Sequence, residues 1–293
     1  MIYTCIENRY QTSNTTICVW LFIKLLCEVQ MKKSVNNYFN SNIDMKEKLD
    51  AIKKLGFDEF FMGMYDKKES LSWIEQLEFA KQIGLGCTMI HCSYNEPMLD
   101  SFWLDSKEGD FVENDYREQI LLCGKYTKNF VVHLNGSKNS VVSQIGLERI
   151  KRLLKCCEQF GVNFCVENLY SDAEIPFIFN NISHPLLKIC YDCGHKNFLT
   201  PDFDLCKEYG KFVSCLHLHE NNGTKDEHKH LTVGSKVFNN LKKDFKYLSD
   251  DIVLASEAKI FDENWKEYLK QDLLALNSLN KDLLDEKTNI ETL

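Results

Sequence analysis

Proline and glycine are scarce in this chain, at 4 and 13 of 293 residues. No linker or break in composition divides residues 31–293, so a single domain is expected. A long apolar run is also missing. The best candidate, 17–29, is interrupted by Lys24 and Glu28 and is too short to span a bilayer, and no small-residue cleavage site follows it. Residues 1–30 are read as a poorly integrated extension, with the fold beginning at Met31. Positive charge is in deficit: 35 Lys and Arg against 43 Asp and Glu leave a net charge of −8. An acidic surface repels phosphate backbones, which makes nucleic acid a poor default partner. The 13 cysteines are odd in number and many are set in apolar runs such as Phe164-Cys165-Val166, which buried free thiols explain better than a disulfide framework. Buried free thiols suit a reducing cytoplasmic setting. The CxxC at Cys190-Tyr191-Asp192-Cys193 has no thioredoxin-like order of elements around it and is not read as a redox motif.

What is present is an alternation. Eight β-prone runs occur at Ser34–Tyr38, Glu59–Met64, Cys87–His91, Phe130–Leu134, Val162–Glu167, Leu187–Asp192, Phe212–Leu218 and Ile252–Glu257. Between them helical spacing is clearest at Met45–Leu55, Leu71–Ile83, Glu113–Tyr126, Gly146–Phe160 and Phe238–Leu248, with a last helix over about Asn264–Leu284. Gly56, Gly84 and Gly161 each stand between a helical run and a strand, where a left-handed helix stop belongs. Alternating units imply a parallel sheet. Eight of them, with no nucleotide-binding glycine fingerprint after the first strand, favour an α/β fold of the (β/α)₈ TIM-barrel type over an open sheet.

Polar residues fall at one end of these strands. His91, His133, Glu167, Asp192, His217 and Glu257 close six consecutive strands, with His195 just after the sixth and His219 in the seventh. Strand ends of this kind surround a single site. Buried carboxylates repel one another unless a cation lies between them. The mixture of Glu, Asp and His suits a divalent ion: manganese, zinc, cobalt or magnesium. Strand periodicity places Cys165, Cys190 and Cys215 two residues before Glu167, Asp192 and His217, hence one layer below. About 6.6 Å along a strand puts them beyond the same ion, so they are expected as core fillers.

The runs Val166-Glu167-Asn168, Tyr191-Asp192-Cys193-Gly194-His195 and Leu216-His217-Leu218-His219 through Asp226-Glu227-His228 resemble the sugar phosphate isomerase/epimerase family. That family lies within the xylose isomerase-like TIM-barrel superfamily, which also includes endonuclease IV. The resemblance spans about residues 33–260. Its epimerase and isomerase branch implies one divalent metal on Glu167, Asp192, His217 and Glu257. The two glutamates would then exchange protons with substrate through an enediolate, and His195 would hold a substrate oxygen. His91, His133 and His228 are expected to contact substrate.

The endonuclease IV branch implies more ligands for three zinc ions, and His91, His133, His195, Asp226 and His228 match that pattern too. Against the nuclease stand the acidic chain and the lack of basic, glycine-rich loops. Thr232-Val233-Gly234-Ser235 also departs from the Pro-Gly-x-Gly run of both branches. Related barrels include polyol dehydratases as well. His219 and His230 are read as loop or surface histidines, and His184 is given no role. Glu220 is left open between orienting a ligand and facing solvent, while Tyr170 and Phe198 are candidates for the pocket wall. The implied enzyme acts on a small sugar or sugar phosphate, with self-association left open.

Overall fold

The computed structural model describes residues 31–39, 42–65, 69–94, 96–249, 251–260 and 263–291, so the expected extension over 1–30 lies outside the described residues. Eight strands run β1 Lys33–Asn36, β2 Glu59–Gly63, β3 Gly86–His91, β4 Asn129–Val132, β5 Asn163–Glu167, β6 Leu187–Asp192, β7 Val213–His217 and β8 Leu254–Ser256. All their pairings are parallel, in the order β7-β6-β5-β4-β3-β2-β1-β8. The sheet closes through one bridge, Leu218 to Ser256, where Leu218 N–H donates to Ala255 O and Glu257 N–H to Leu218 O. This is the (β/α)₈ barrel that the alternation implied.

The helices against its outer face include α1 Met45–Leu55, α2 Trp73–Gln82, α3 Lys107–Cys123, α4 Gln144–Glu158, α5 Glu174–Asn181, α6 Cys193–Phe198, α7 Lys236–Asp244 and α8 Trp265–Glu291. Gly56, Gly84 and Gly161 all have φ between +65° and +103°, as the helix-stop reading required. Helix α3 begins six residues before the expected Glu113, because the Ser106 side chain accepts from Gly109 N–H and caps it there. Helices α5 and α6 were not expected. The first is short and carries Pro176, which its first turn tolerates, and the second starts from an Asp192 cap within a motif read only for its ligands.

Strand alternation divides the core in two. Val35, Phe60, Met62, Ile90, Phe130, Val132 and Phe164 point outward to the helices and belong to the large cluster between sheet and helices. Phe61, Met89, Val131, Cys165, Cys190, Cys215 and Ala255 form a second, fully buried cluster inside the barrel. Two residues beyond each of those seven stand Gly63, His91, His133, Glu167, Asp192, His217 and Glu257, and Asn36 is the counterpart on β1. An apolar floor therefore carries a polar ring directly above it.

Candidate metal centre

That ring has two halves. On the β1 and β2 side, Gly63 leaves room for aromatic rings: a Cβ there would fall 2.4 Å from Tyr65 and 2.6 Å from Tyr38. Tyr38 and Tyr65 meet edge to face at 5.0 Å, and Tyr94 stacks on His133 at 4.3 Å. On the β3 to β8 side stand the ligand-type residues. Glu167, Asp192, His217 and Glu257 are all buried, and each offers a ligand atom within 4.8 Å of the others'. The separation that would have ruled out a shared ion is therefore not found.

Glu167 is the hub. Its Oε2 lies 3.3 Å from His91 Nε2 and 3.1 Å from His133 Nε2, while its Oε1 lies 3.1 Å from His195 Nδ1 and 3.3 Å from His217 Nδ1. Burial opposes its ionisation, but the His217 and His133 imidazoles outweigh burial and hold the carboxyl well below the usual range. His217 is sandwiched between Phe61 and His91 and sits 3.2 Å from Glu257 Oε2. Burial disfavours its charged form, yet Glu257 and Glu167 push it up to about 10. A buried group of three carboxylates thus draws positive charge toward itself, whether as a proton or as a cation.

Second contacts orient the set. His91 Nδ1 faces Cys92 O at 3.0 Å, His195 Nδ1 faces Asn168 O at 3.1 Å, and His228 Nδ1 faces Glu257 O at 3.1 Å. A carbonyl can only accept, so each Nδ1 carries the proton and each Nε2 is left as a lone-pair donor, the usual arrangement behind a metal-bound imidazole. Asn168 brackets Asp192, accepting from its N–H at 2.8 Å and donating to its carbonyl at 2.9 Å, which levels the ends of β5 and β6. Tyr38 O–H donates to Glu257 Oε1. His217 Nδ1 and Nε2, Glu257 Oε2 and Asp226 Oδ1 are buried without a hydrogen-bond partner. Orphaned atoms of this kind, in a set of oxygens and imidazoles, fit a divalent ion.

Two further groups adjoin the first. His91 and His133 meet Glu167 on one side, and His195, His219, Asp226 and His228 converge above Asp192. His228 has φ of +49°, a strained conformation for a side-chain-bearing residue. One expectation is corrected. His219 is not on the surface: it is completely buried, with Nε2 3.0 Å from Asp192 Oδ2. It was misjudged because the extended chain runs on past β7: Leu218 still bridges Ser256, so His219 keeps the inward face of His217. His230 stands in the loop where it was expected, half-buried, bound to Asp272 at 2.8 Å and stacked on Tyr268.

The reach argument for Cys190 also changes. Its register partner is Glu167, so the stagger between strands lifts its sulfur to within 4.8 Å of ligand atoms on Glu167 and His217. Burial keeps that thiol neutral, well above its usual range. Glu220 accepts from Thr232 N–H and Ser235 O–H and so organises its own loop. His184 sits beside Glu158, away from the site.

The site opens into a cavity of about 750 Å³, lined by the tyrosines above, Tyr170 and Phe198, with Lys259 as the sole Lys or Arg among the described lining residues. The model of the xylose isomerase-like TIM barrel matches residues 49–277, most of the chain. The chain belongs to that family. An uncharacterized protein of Methanocaldococcus jannaschii is 32% identical over 125 residues, covering 39% of this chain. The match takes in 49% of that relative, so the chain spans about half the length of the curated protein it resembles. Among solved structures, an L-ribulose 3-epimerase superimposes with a TM-score of 0.69 at 14% identity, covering 90% of this chain and 98% of its own. A D-tagatose 3-epimerase-like protein gives 0.67 at 16%, covering 88% and 100%, and the 3-keto-D-glucoside 4-epimerase of E. coli gives 0.61 at 15%, covering 85% and 99%. At these identities the likeness is one of fold. Among the described residues no helix is long and apolar enough to cross a membrane.

Proposed function

We propose that this chain is a metal-dependent isomerase or epimerase of a sugar or sugar phosphate, working by proton transfer beside a carbonyl. The observation that carries the reading is the convergence of Glu167, Asp192, His217 and Glu257 on one small volume at the floor of an aromatic-walled cavity. The naming of the superimposed structures as sugar epimerases supports it. These four residues would hold a divalent ion: manganese, zinc, cobalt or magnesium. Such an ion supplies Lewis-acid polarisation of a carbonyl and its neighbouring hydroxyl.

The protein's own part is acid–base work and positioning. Glu167 and Glu257 both approach His217 Nδ1, at 3.3 and 3.2 Å, and one removes the proton while the other returns it. His195, with Nδ1 tied to Asn168 O, turns its Nε2 to a substrate oxygen. His91, His133 and His228 extend the polar rim, and Tyr38, Tyr65 and Tyr94 supply flat apolar surface for a sugar ring.

The test is elemental analysis followed by a deuterium-exchange screen against a sugar panel in heavy water. Solvent deuterium should enter at the carbon next to the carbonyl, stop on chelation and return with added divalent metal. Glu167→Gln should keep the fold and lose at least about 100-fold in turnover. Normal exchange in that variant, or exchange indifferent to chelators, defeats the assignment.

A second reading has one specific observation behind it. Glu167 is shared between two ligand groups and a third adjoins them, a multinuclear arrangement that suits phosphoester cleavage at an abasic site. A single lining lysine and the net charge of −8 weigh against a duplex. Cleavage of abasic-site DNA with a steep salt dependence would reverse this order.

A further inference from the structure

The apolar side chains that line the cavity are of two kinds. Phe39, Leu99 and Ile260 also belong to the large cluster between sheet and helices. Leu169, Tyr170, Phe198 and Leu199 belong to neither of the two clusters. Tyr170 is 37% exposed, and Phe198 and Leu199 are half-buried. These four side chains pack no core, and what they share is the cavity. Exposed apolar surface gathered beside a polar site marks a place where a ligand binds.

Their positions form a wall. Leu169 and Tyr170 follow Glu167 directly beyond β5, and Phe198 and Leu199 stand at the close of α6, beyond His195. Leu199 N–H donates to His195 O at 2.6 Å, which fixes this end of the helix. Strands β5 and β6 are neighbours, so both pairs rise on the same side of the mouth. Lys259, the sole Lys or Arg among the described lining residues, follows β8, and β7 separates β8 from β6. A phosphate held against the wall would lose its water and gain no counter-charge there, which is costly. An apolar group gains by the same transfer. At about 750 Å³ the cavity is of the size that encloses a drug-sized ligand, more than a single sugar ring needs.

Resting on the sugar reading above, we infer that the substrate is an unphosphorylated sugar bearing an O-linked apolar group, alkyl or aryl, which lies against Leu169, Tyr170, Phe198 and Leu199. The group hangs from the end of the sugar remote from the reacting carbonyl, because the carbonyl end meets the ligand floor. The wall thus selects the substrate without taking part in proton transfer.

The experiment is calorimetric titration of metal-loaded protein with three matched classes: free aldoses and ketoses, their terminal phosphates and their terminal benzyl ethers. At least one benzyl ether should bind about tenfold or more tighter than its parent sugar, the effect of burying about two methylene groups. Its terminal phosphate should bind no tighter than the parent. Phe198→Ala should cut the benzyl gain to below about threefold and leave the affinity for the parent sugar unchanged. Leu199→Lys, which covers failure of the first variant to fold, should erase the gain and raise the affinity for the phosphate. The inference is overturned if no benzyl ether gains over its parent, if the phosphates are the tighter class in the wild type, or if the gain survives both substitutions. The same compounds in heavy water keep this separate from the sugar reading. Deuterium exchange into free sugars with no benzyl gain sinks the wall alone, whereas a benzyl gain with no exchange in any class sinks the proton-transfer chemistry.

Discussion

At the scale of single residues, the site is decided by what stands behind each ligand. Tyr38 O–H donates to Glu257 Oε1 and its ring packs edge to face on Phe61, so Tyr38→Phe removes that hydrogen bond and keeps the ring. Metal affinity in this variant is expected to drop about 10–100-fold with the fold intact, as calorimetric titration would show; an unchanged affinity removes Tyr38 from the machinery. Glu174 gives a second, pH-dependent case. It is completely enclosed, accepts from Asn135 Nδ2 at 2.7 Å, and burial pushes its carboxyl up to about 7.

Because its folded value lies above the unfolded one near 4.3, the stability this group contributes is complete below that pH and fades as pH rises toward 7. The loss amounts to about 4 kcal/mol above pH 7. Glu174→Gln, neutral throughout, should abolish that slope and be the more stable protein at pH 8. Urea midpoints of both proteins from pH 4 to 8 measure the difference, and parallel curves would contradict it. Neither residue was visible as functional in the sequence. Tyr38 and Tyr65 follow Asn36 and Gly63 at the strand period and were open to discovery as a third layer. Nothing near Glu174 in the sequence marks its partner Asn135, 39 residues away.

At the scale of elements, caps and registers do what periodicity cannot. The start of α3 was misplaced because apolar spacing weakens over Lys107–Phe111, while the Ser106 hydroxyl on Gly109 N–H fixes the first turn regardless. Ser106→Ala is expected to cost about 1 kcal/mol, measurable by denaturant unfolding, and no change would mean that packing alone positions the helix. The ligand strands show the other side. The residues at the ends of β5, β6 and β7 were legible because each strand's alternation is local. The level of one strand against the next was not: Glu167 pairs with Cys190, so Asp192 stands one layer further along, and Asn168 secures that offset. Offsets between strands come from barrel closure, which no single strand encodes.

At the scale of the whole molecule, the barrel gathers repelling groups that a cation would reconcile. An ion that binds the folded chain alone should stabilise it by about 4 kcal/mol at a thousandfold excess over its dissociation constant. Chelation is therefore expected to lower the melting temperature by several degrees in scanning calorimetry, and readdition of zinc or manganese to restore it. A melting temperature indifferent to chelators would mean that protons alone satisfy the cluster.

The sequence by itself determined the alternation of strands and helices, the glycine stops at Gly56, Gly84 and Gly161, and the ligand types at the strand ends. Each of these is a local rule, readable within one or two elements. Tertiary structure alone decided that His219 lies at the centre and not on the surface, that Cys190 stands level with Glu167, and that the tyrosines fill the side of the ring opposite the ligands. Those facts depend on how a closed sheet staggers its strands and how far each runs beside its neighbour, and both are set by contacts between residues far apart in the chain.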